Sequence, residues 1–142
     1  MKLFGIKNKK NYTIVVGCGR LGAYIANSIS NQSLDVTIID KDESSFRKLA
    51  LSYGGLAIVG NAINVETFIE AGIEKADSVV VVTDSDNINI MTAQLIKTYF
   101  NVPNVIIRLY DPEIESVYRE LGIKTVCPSV LSANKIESLL EK

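Results

Sequence analysis

Short apolar runs alternate along this chain with stretches in which apolar residues recur every three or four positions. The first pattern suits a strand buried in a sheet, the second one face of a helix. Residues 12–16 (YTIVV), rich in β-branched side chains, predict a first strand that ends at a glycine cluster. Leu21, Ile25 and Ile29 then mark one face of a helix. A second strand over 36–39 closes on Asp40, and Phe46, Leu49 and Ala50 predict a short helix after it. A third strand, 56–59 (LAIV), precedes a helix carrying Val65, Phe68 and Ile69. The run 78–82 (SVVVV) is apolar without alternation, as in a parallel strand covered on both faces. A long helix is expected over 88–100, with Met91, Leu95 and Thr98 near one face, and then a fifth strand over 105–109. Asp111-Pro112-Glu113 reads as an N-cap, a proline at the first helical position and an acid in the first turn. Ile114, Val117, Tyr118 and Leu121 continue that helix. A sixth strand near 124–127 and a helix from about Ser129 complete the series. The apolar stripe of that last helix, Ile136, Leu139 and Leu140, either folds back on the sheet or packs on a partner subunit.

Repeated β-α units with right-handed crossovers predict an α/β, Rossmann-type doubly wound parallel sheet of about six strands, in the order 3-2-1-4-5-6. At 142 residues, with no linker or low-complexity stretch, the chain is read as a single domain. The expected divisions are a basic tail over 1–11, the nucleotide-binding domain over 12–128 and a C-terminal helix over 129–142.

Composition narrows the chemistry. The chain contains no His, which excludes His-based acid–base catalysis and His metal ligation, and two Cys cannot build a four-ligand zinc site. Few cysteines and no legible signal peptide lead to the expectation of a reducing cytosol. The net charge of −1 is unevenly spread. Lys2, Lys7, Lys9 and Lys10 stand in the first eleven residues without an acid, leaving 11 basic against 16 acidic residues in the remainder. The lysines could attract phosphate or an anionic surface, or form a solvated tail. The acidic body argues against nucleic acid as a partner.

Gly17-Cys18-Gly19-Arg20-Leu21-Gly22 is a GxGxxG sequence placed directly after the first predicted strand and opening the first helix. Gly17 permits the tight turn, Gly19 lets the backbone approach a phosphate, and Gly22 lets helix and strand pack closely. The helix N-terminus then offers unpaired N–H groups and a partial positive charge. Asp40, 21 residues beyond Gly19, ends the second strand, where an acid accepts hydrogen bonds from ribose hydroxyls and repels a 2′-phosphate. NAD, ATP, ADP or AMP therefore fits better than NADP; the alternative is that Asp40 merely begins a turn with Lys41. Asn61 could meet an adenine edge or cap the helix that follows. In the stretch from Thr83 to Asn89, one hydroxyl or acid is expected to cap the long helix, and the others could contact a ligand or cation. Arg20 could pair with a terminal phosphate or be solvated. Cys18, near a helix N-terminus, could have a lowered thiol pKa or simply fill the loop, and Cys127 looks like core. No nucleophile–base pair is legible.

Together VVGCGRLGAYIA, TIIDKDE, GNA, VVVVTDSDNINIMTA and IIRLYDPE resemble the TrkA N-terminal, or RCK, nucleotide-binding domains over residues 12–128. The resemblance implies a cytoplasmic regulatory subunit, peripheral to the inner face of the cell membrane, that binds NAD(H), ATP, ADP or AMP. It also implies a potassium-translocating membrane partner and a homodimer or higher ring, with a longer RCK subunit as a further possible partner. Its phosphate loop would be Gly17, Cys18, Gly19, Arg20, Leu21 and Gly22. The ribose acid would be Asp40 beside Lys41, the base-side contacts Asn61 and Ala62, and the strand-four lip Thr83 and Asp84. Arg108 would face the same crevice. Two departures stand out: GNA replaces the usual GDA, and the C-terminal ligand-binding subdomain of many members is expected to be missing, because the chain stops soon after the last predicted strand. The alternatives in function are an NAD-dependent oxidoreductase fragment, which would need a substrate domain and a proton donor, and a nucleotide-sensing module for a non-potassium partner.

Overall fold

Six parallel strands form one sheet in the order β3-β2-β1-β4-β5-β6, as the β-α alternation predicts. They are β1 (Tyr12–Val16), β2 (Asp35–Asp40), β3 (Leu56–Val59), β4 (Ser78–Val81), β5 (Asn104–Arg108) and β6 (Lys124–Val126). The computed structural model describes residues 11–141, so the basic tail expected over 1–11 lies outside the described residues but for Asn11. The helices are α1 (Arg20–Asn31), α2 (Val65–Glu70), α3 (Asp86–Tyr99), α4 (Glu115–Arg119) and α5 (Pro128–Leu140). The short helix expected after β2 is a 3-10 segment, Glu43–Lys48, whose cap is the Asp42 carboxylate accepting from the Ser44 N–H. Asp111 does cap the segment after β5, accepting from the Glu113 N–H, but the first turn, Pro112–Ile114, is 3-10 before α4 begins.

Because side chains alternate across a strand, each central strand feeds two separate cores. Ile14, Val16 and Ile39 point to one face and join Phe68, Val79, Val81, Ala93 and Ile96 under α2 and α3. Val15, Val36 and Ile38 point to the other and pack with Ala23 and Ala26 of α1. This two-sided burial is why β4 reads as apolar without a polar alternate, and why even Thr13 of β1 and Thr37 of β2 are buried. Strand β3 lies at the sheet edge, and there Leu56 and Val59 are exposed.

Two expectations about helix faces change. The buried face of α3 is Asn89, Thr92, Ala93 and Ile96, whereas Met91 is 48% exposed. Apolar character alone pointed to the Met91 side; two polar residues in fact face the core. Helix α5 does not fold back on the sheet: it has no buried residue, and Leu131, Ile136, Leu139 and Leu140 are all more than half exposed.

Candidate functional site

Strands β1 and β4 are neighbours whose following helices leave toward opposite faces, so a crevice opens at their carboxyl ends, where open α/β sheets bind ligands. A cavity of about 510 Å³ lies there, of the size that holds small ligands. Its wall begins at the glycine loop. Gly17 takes φ +105°, and a Cβ on it would stand 2.9 Å from the Thr83 nitrogen, so the tight turn and the closeness of β4 both require glycine. A Cβ on Gly22 would fall 1.8 Å from the Gly17 carbonyl oxygen, which fixes how closely α1 packs on the loop. A Cβ on Gly19 would meet nothing within 4 Å, because that side of Gly19 is open space. Gly19 is also the N-cap of α1; no side chain caps the helix and no acid stands in its first turn. The N–H groups of that turn are therefore left for an incoming acceptor.

Asp40 faces this loop. Its Oδ2 accepts from the Cys18 N–H at 2.7 Å and its Oδ1 from the Asp42 N–H at 2.8 Å. The carboxylate thus links the end of β2 to the glycine loop while each oxygen keeps a free lone pair for a further donor. Cys18 is fully buried, and its Sγ donates to the Ser45 carbonyl at 3.3 Å. Burial, and after it the nearby Asp40 charge, push the thiol pKa up rather than down, which corrects the thought that the helix N-terminus activates it.

The opposite wall comes from the turns after β3 and β4 and from the end of β5. Gly60, Asn61 and Ala62 follow β3. Asn61 does not cap α2: its Oδ1 accepts from the Ile63 N–H, closing a turn, while Asn64 caps the helix by accepting from the Glu66 N–H. Thr83 and Asp84 follow β4, and Ser85 caps α3 by accepting from the Ile88 N–H at 3.2 Å. Arg108 reaches across from β5: its Nη2 donates to the Val82 and Thr83 carbonyls at 3.0 and 2.6 Å, and its guanidinium lies 5.2 Å from the Tyr110 ring centre.

Of the residues singled out from the sequence, Gly17, Cys18, Gly19, Asp40, Lys41, Asn61, Ala62, Thr83, Asp84 and Arg108 border this one cavity. Leu21 and Gly22 do not line it, and Arg20 borders a separate shallow groove on α1, with Tyr24 and Asn27. Lys48 borders both, and sequence reading missed it; its only signal was its place in the turn following β2. Three cations, Lys41, Lys48 and Arg108, and three carboxylates, Asp40, Asp42 and Asp84, share the lining. The Ser44 hydroxyl and N–H hold the Asp42 carboxyl below its usual range, so this exposed group stays ionised. No cluster of metal-ligating side chains occurs among the described residues. Nor is any described helix long and apolar enough to cross a membrane.

A glycine loop on an open helix end, faced by an acid at the end of β2, is a nucleotide-site geometry, and comparison with known proteins narrows the family. The curated relatives include the Trk system potassium uptake protein TrkA of Streptomyces coelicolor, 41% identical over 115 residues, which are 81% of this chain and 52% of that protein. A TrkA homologue of Methanothermobacter thermautotrophicus is 30% identical over 132 residues, 92% of this chain and 61% of that protein. The chain thus spans roughly half to three-fifths of the length of these two relatives. Among solved structures, the GsuK RCK domain superposes with a TM-score of 0.77 at 23% identity, covering 92% of this chain and 28% of that one. GsuK has also been solved bound to NAD and bound to ADP; each matches with a TM-score of 0.70 at 12% identity over 84% of this chain, and 22% and 32% of theirs. At these identities the structures show a shared fold. The model of the TrkA-N domain matches residues 13–129, from the start of β1 to the first turn of α5, and the chain belongs to that family.

Proposed function

We propose that this chain is the nucleotide-binding regulatory module of a potassium transporter or channel, holding NAD(H) or an adenine nucleotide (ATP, ADP or AMP) in the cavity at the carboxyl end of the sheet. The observation that carries the reading is the pairing across one cavity of an uncapped helix end at Gly19 with the carboxylate of Asp40. A phosphate is drawn to the open N–H groups at the start of α1, and the free lone pairs of Asp40 take the ribose hydroxyls. A 2′-phosphate would sit against that carboxylate, which disfavours NADP. Asn61, whose amide nitrogen is not used in the turn it closes, is suited to a base edge. The GsuK structures with NAD and ADP, and relatives named as Trk potassium uptake proteins, support the same reading. The module would act from the cytoplasmic face through a potassium-translocating membrane subunit, as a homodimer or higher ring. Its output would be a shift between two assembly shapes, driven by the nucleotide's differential affinity for them.

A thermal-shift panel of NAD, NADH, NADP, ATP, ADP and AMP tests the site. A ligand at 100 times its dissociation constant adds about 2.7 kcal/mol, which for a chain of this length raises the melting temperature by roughly 5–10 °C. At least one adenine nucleotide should do so and NADP should not, and Asp40→Asn should weaken binding by about 1.5–3 kcal/mol. A shift by NADP equal to that by NAD, or unchanged affinity in Asp40→Asn, removes Asp40 from the site.

A further inference from the structure

We propose that Asn89 and Thr92 of α3, neither of which lines the cavity, are positioning residues that hold the cavity's far lips at the spacing a bound nucleotide needs. The proposal rests on the nucleotide reading of the cavity. Both side chains are fully buried, on the face of α3 that packs on the sheet. A buried polar side chain is costly unless every polar atom is satisfied, so its partners indicate what it is there to hold. The Asn89 Oδ1 accepts from the Thr83 N–H at 3.1 Å and from the Thr83 hydroxyl at 2.5 Å. Its Nδ2 donates to the Thr83 carbonyl at 3.1 Å and to the Arg108 carbonyl at 2.9 Å. All four bonding positions of the carboxamide are spent on the ends of β4 and β5. Thr92, one helical turn further on, donates its hydroxyl to the Ala62 carbonyl at 3.0 Å, in the turn after β3.

These bonds do what the sheet cannot. In the order β3-β2-β1-β4-β5-β6, two strands separate β3 from β4, so no ladder bond links the turn at Ala62 to the turn at Thr83. Helix α3 bridges them, with Asn89 gripping one lip and Thr92 the other. An apolar pair at the same two positions could fill the core as well as Ala93 and Ile96 do, but would leave each lip's main chain unheld.

The test is calorimetric titration of ADP and NAD into the whole chain and its variants, each well below its own melting temperature. Thr92→Val keeps the shape and loses the hydroxyl; it should weaken binding fivefold or more, and Thr92→Ser should bring affinity back to within twofold. Asn89→Asp places an acceptor against the Thr83 and Arg108 carbonyls and should weaken binding more than tenfold. A merely structural role would lower melting temperature and leave the affinity of the folded chain unmoved. Wild-type affinity in Thr92→Val, or loss in Thr92→Val that Thr92→Ser fails to rescue, overturns the proposal. The Thr92 pair decides the matter even if Asn89→Asp does not fold. A wild-type chain that binds no adenine nucleotide overturns the cavity reading itself, and this proposal with it.

Discussion

Helices α1 and α3 each follow a central strand and start at the same crevice, yet they begin in opposite ways. At α1 the cap is Gly19, with no side chain over the first turn and open space in front. At α3 the Ser85 hydroxyl covers the first turn, Asp86 stands in it, and the Asp86 carboxylate accepts from the Tyr110 and Asp111 N–H groups. A helix end must satisfy its exposed donors from within the protein or from outside. One end of this crevice is closed by the chain's own side chains, and the other has none over it. The same helix-terminus electrostatics therefore serves structure at α3 and, on our reading, recognition at α1.

The largest effect separates two glycines of a single loop. Gly22→Ala puts a methyl group 1.8 Å from the Gly17 carbonyl, so α1 must move. We expect a loss of ~3 kcal/mol or more, roughly 10 °C in melting temperature, and poor recovery of folded protein. At Gly19 an added Cβ meets nothing within 4 Å, so the melting temperature of Gly19→Val should stay within a few degrees of wild type while nucleotide binding is blocked. If Gly19→Val binds normally, α1 is not the open end described above. The reciprocal change is smaller. Ser85→Ala removes the α3 cap and should cost about 1 kcal/mol, roughly 3 °C. Calorimetry should then show an affinity far less changed than in Gly19→Val; an equal loss would make the two ends equivalent. Smallest is the reactivity of Cys18, which reports whether the open loop is already set in place. Its raised thiol pKa and complete burial predict alkylation at neutral pH many times slower than in the urea-unfolded chain. Labelling at the unfolded rate would mean that the loop opens freely.

Where a residue's role follows from local pattern, the sequence was legible. The valine run of β4, the β-branched run of β1 and the glycines between β1 and α1 led to the right strands in the right order, because two-sided burial leaves an unbroken apolar signature. Asp40 stood out because its distance from the glycine loop is set by one β-α-β unit. Roles set by tertiary packing were not legible. Met91 looked like core, and Asn89 was grouped with the residues that could cap the helix or contact a ligand, since hydropathy does not register a carboxamide whose four bonds are all met inside. Asn61 and Asn64 are the same residue type three positions apart, and which one caps α2 depends on where the helix starts. Arg20 sits inside the glycine sequence, yet the pitch of α1 turns it to the separate groove.

Helix α5 carries a different consequence. Thirteen residues with none buried draw nothing from the core, and an isolated helix of that length is marginal in water. Its opening should be uncoupled from global unfolding, making α5 in the free chain a separate cooperative unit of low stability. Proteases that need a locally unfolded substrate should therefore cut within α5 long before the sheet, trimming the chain just after the buried Cys127 and leaving the crevice whole.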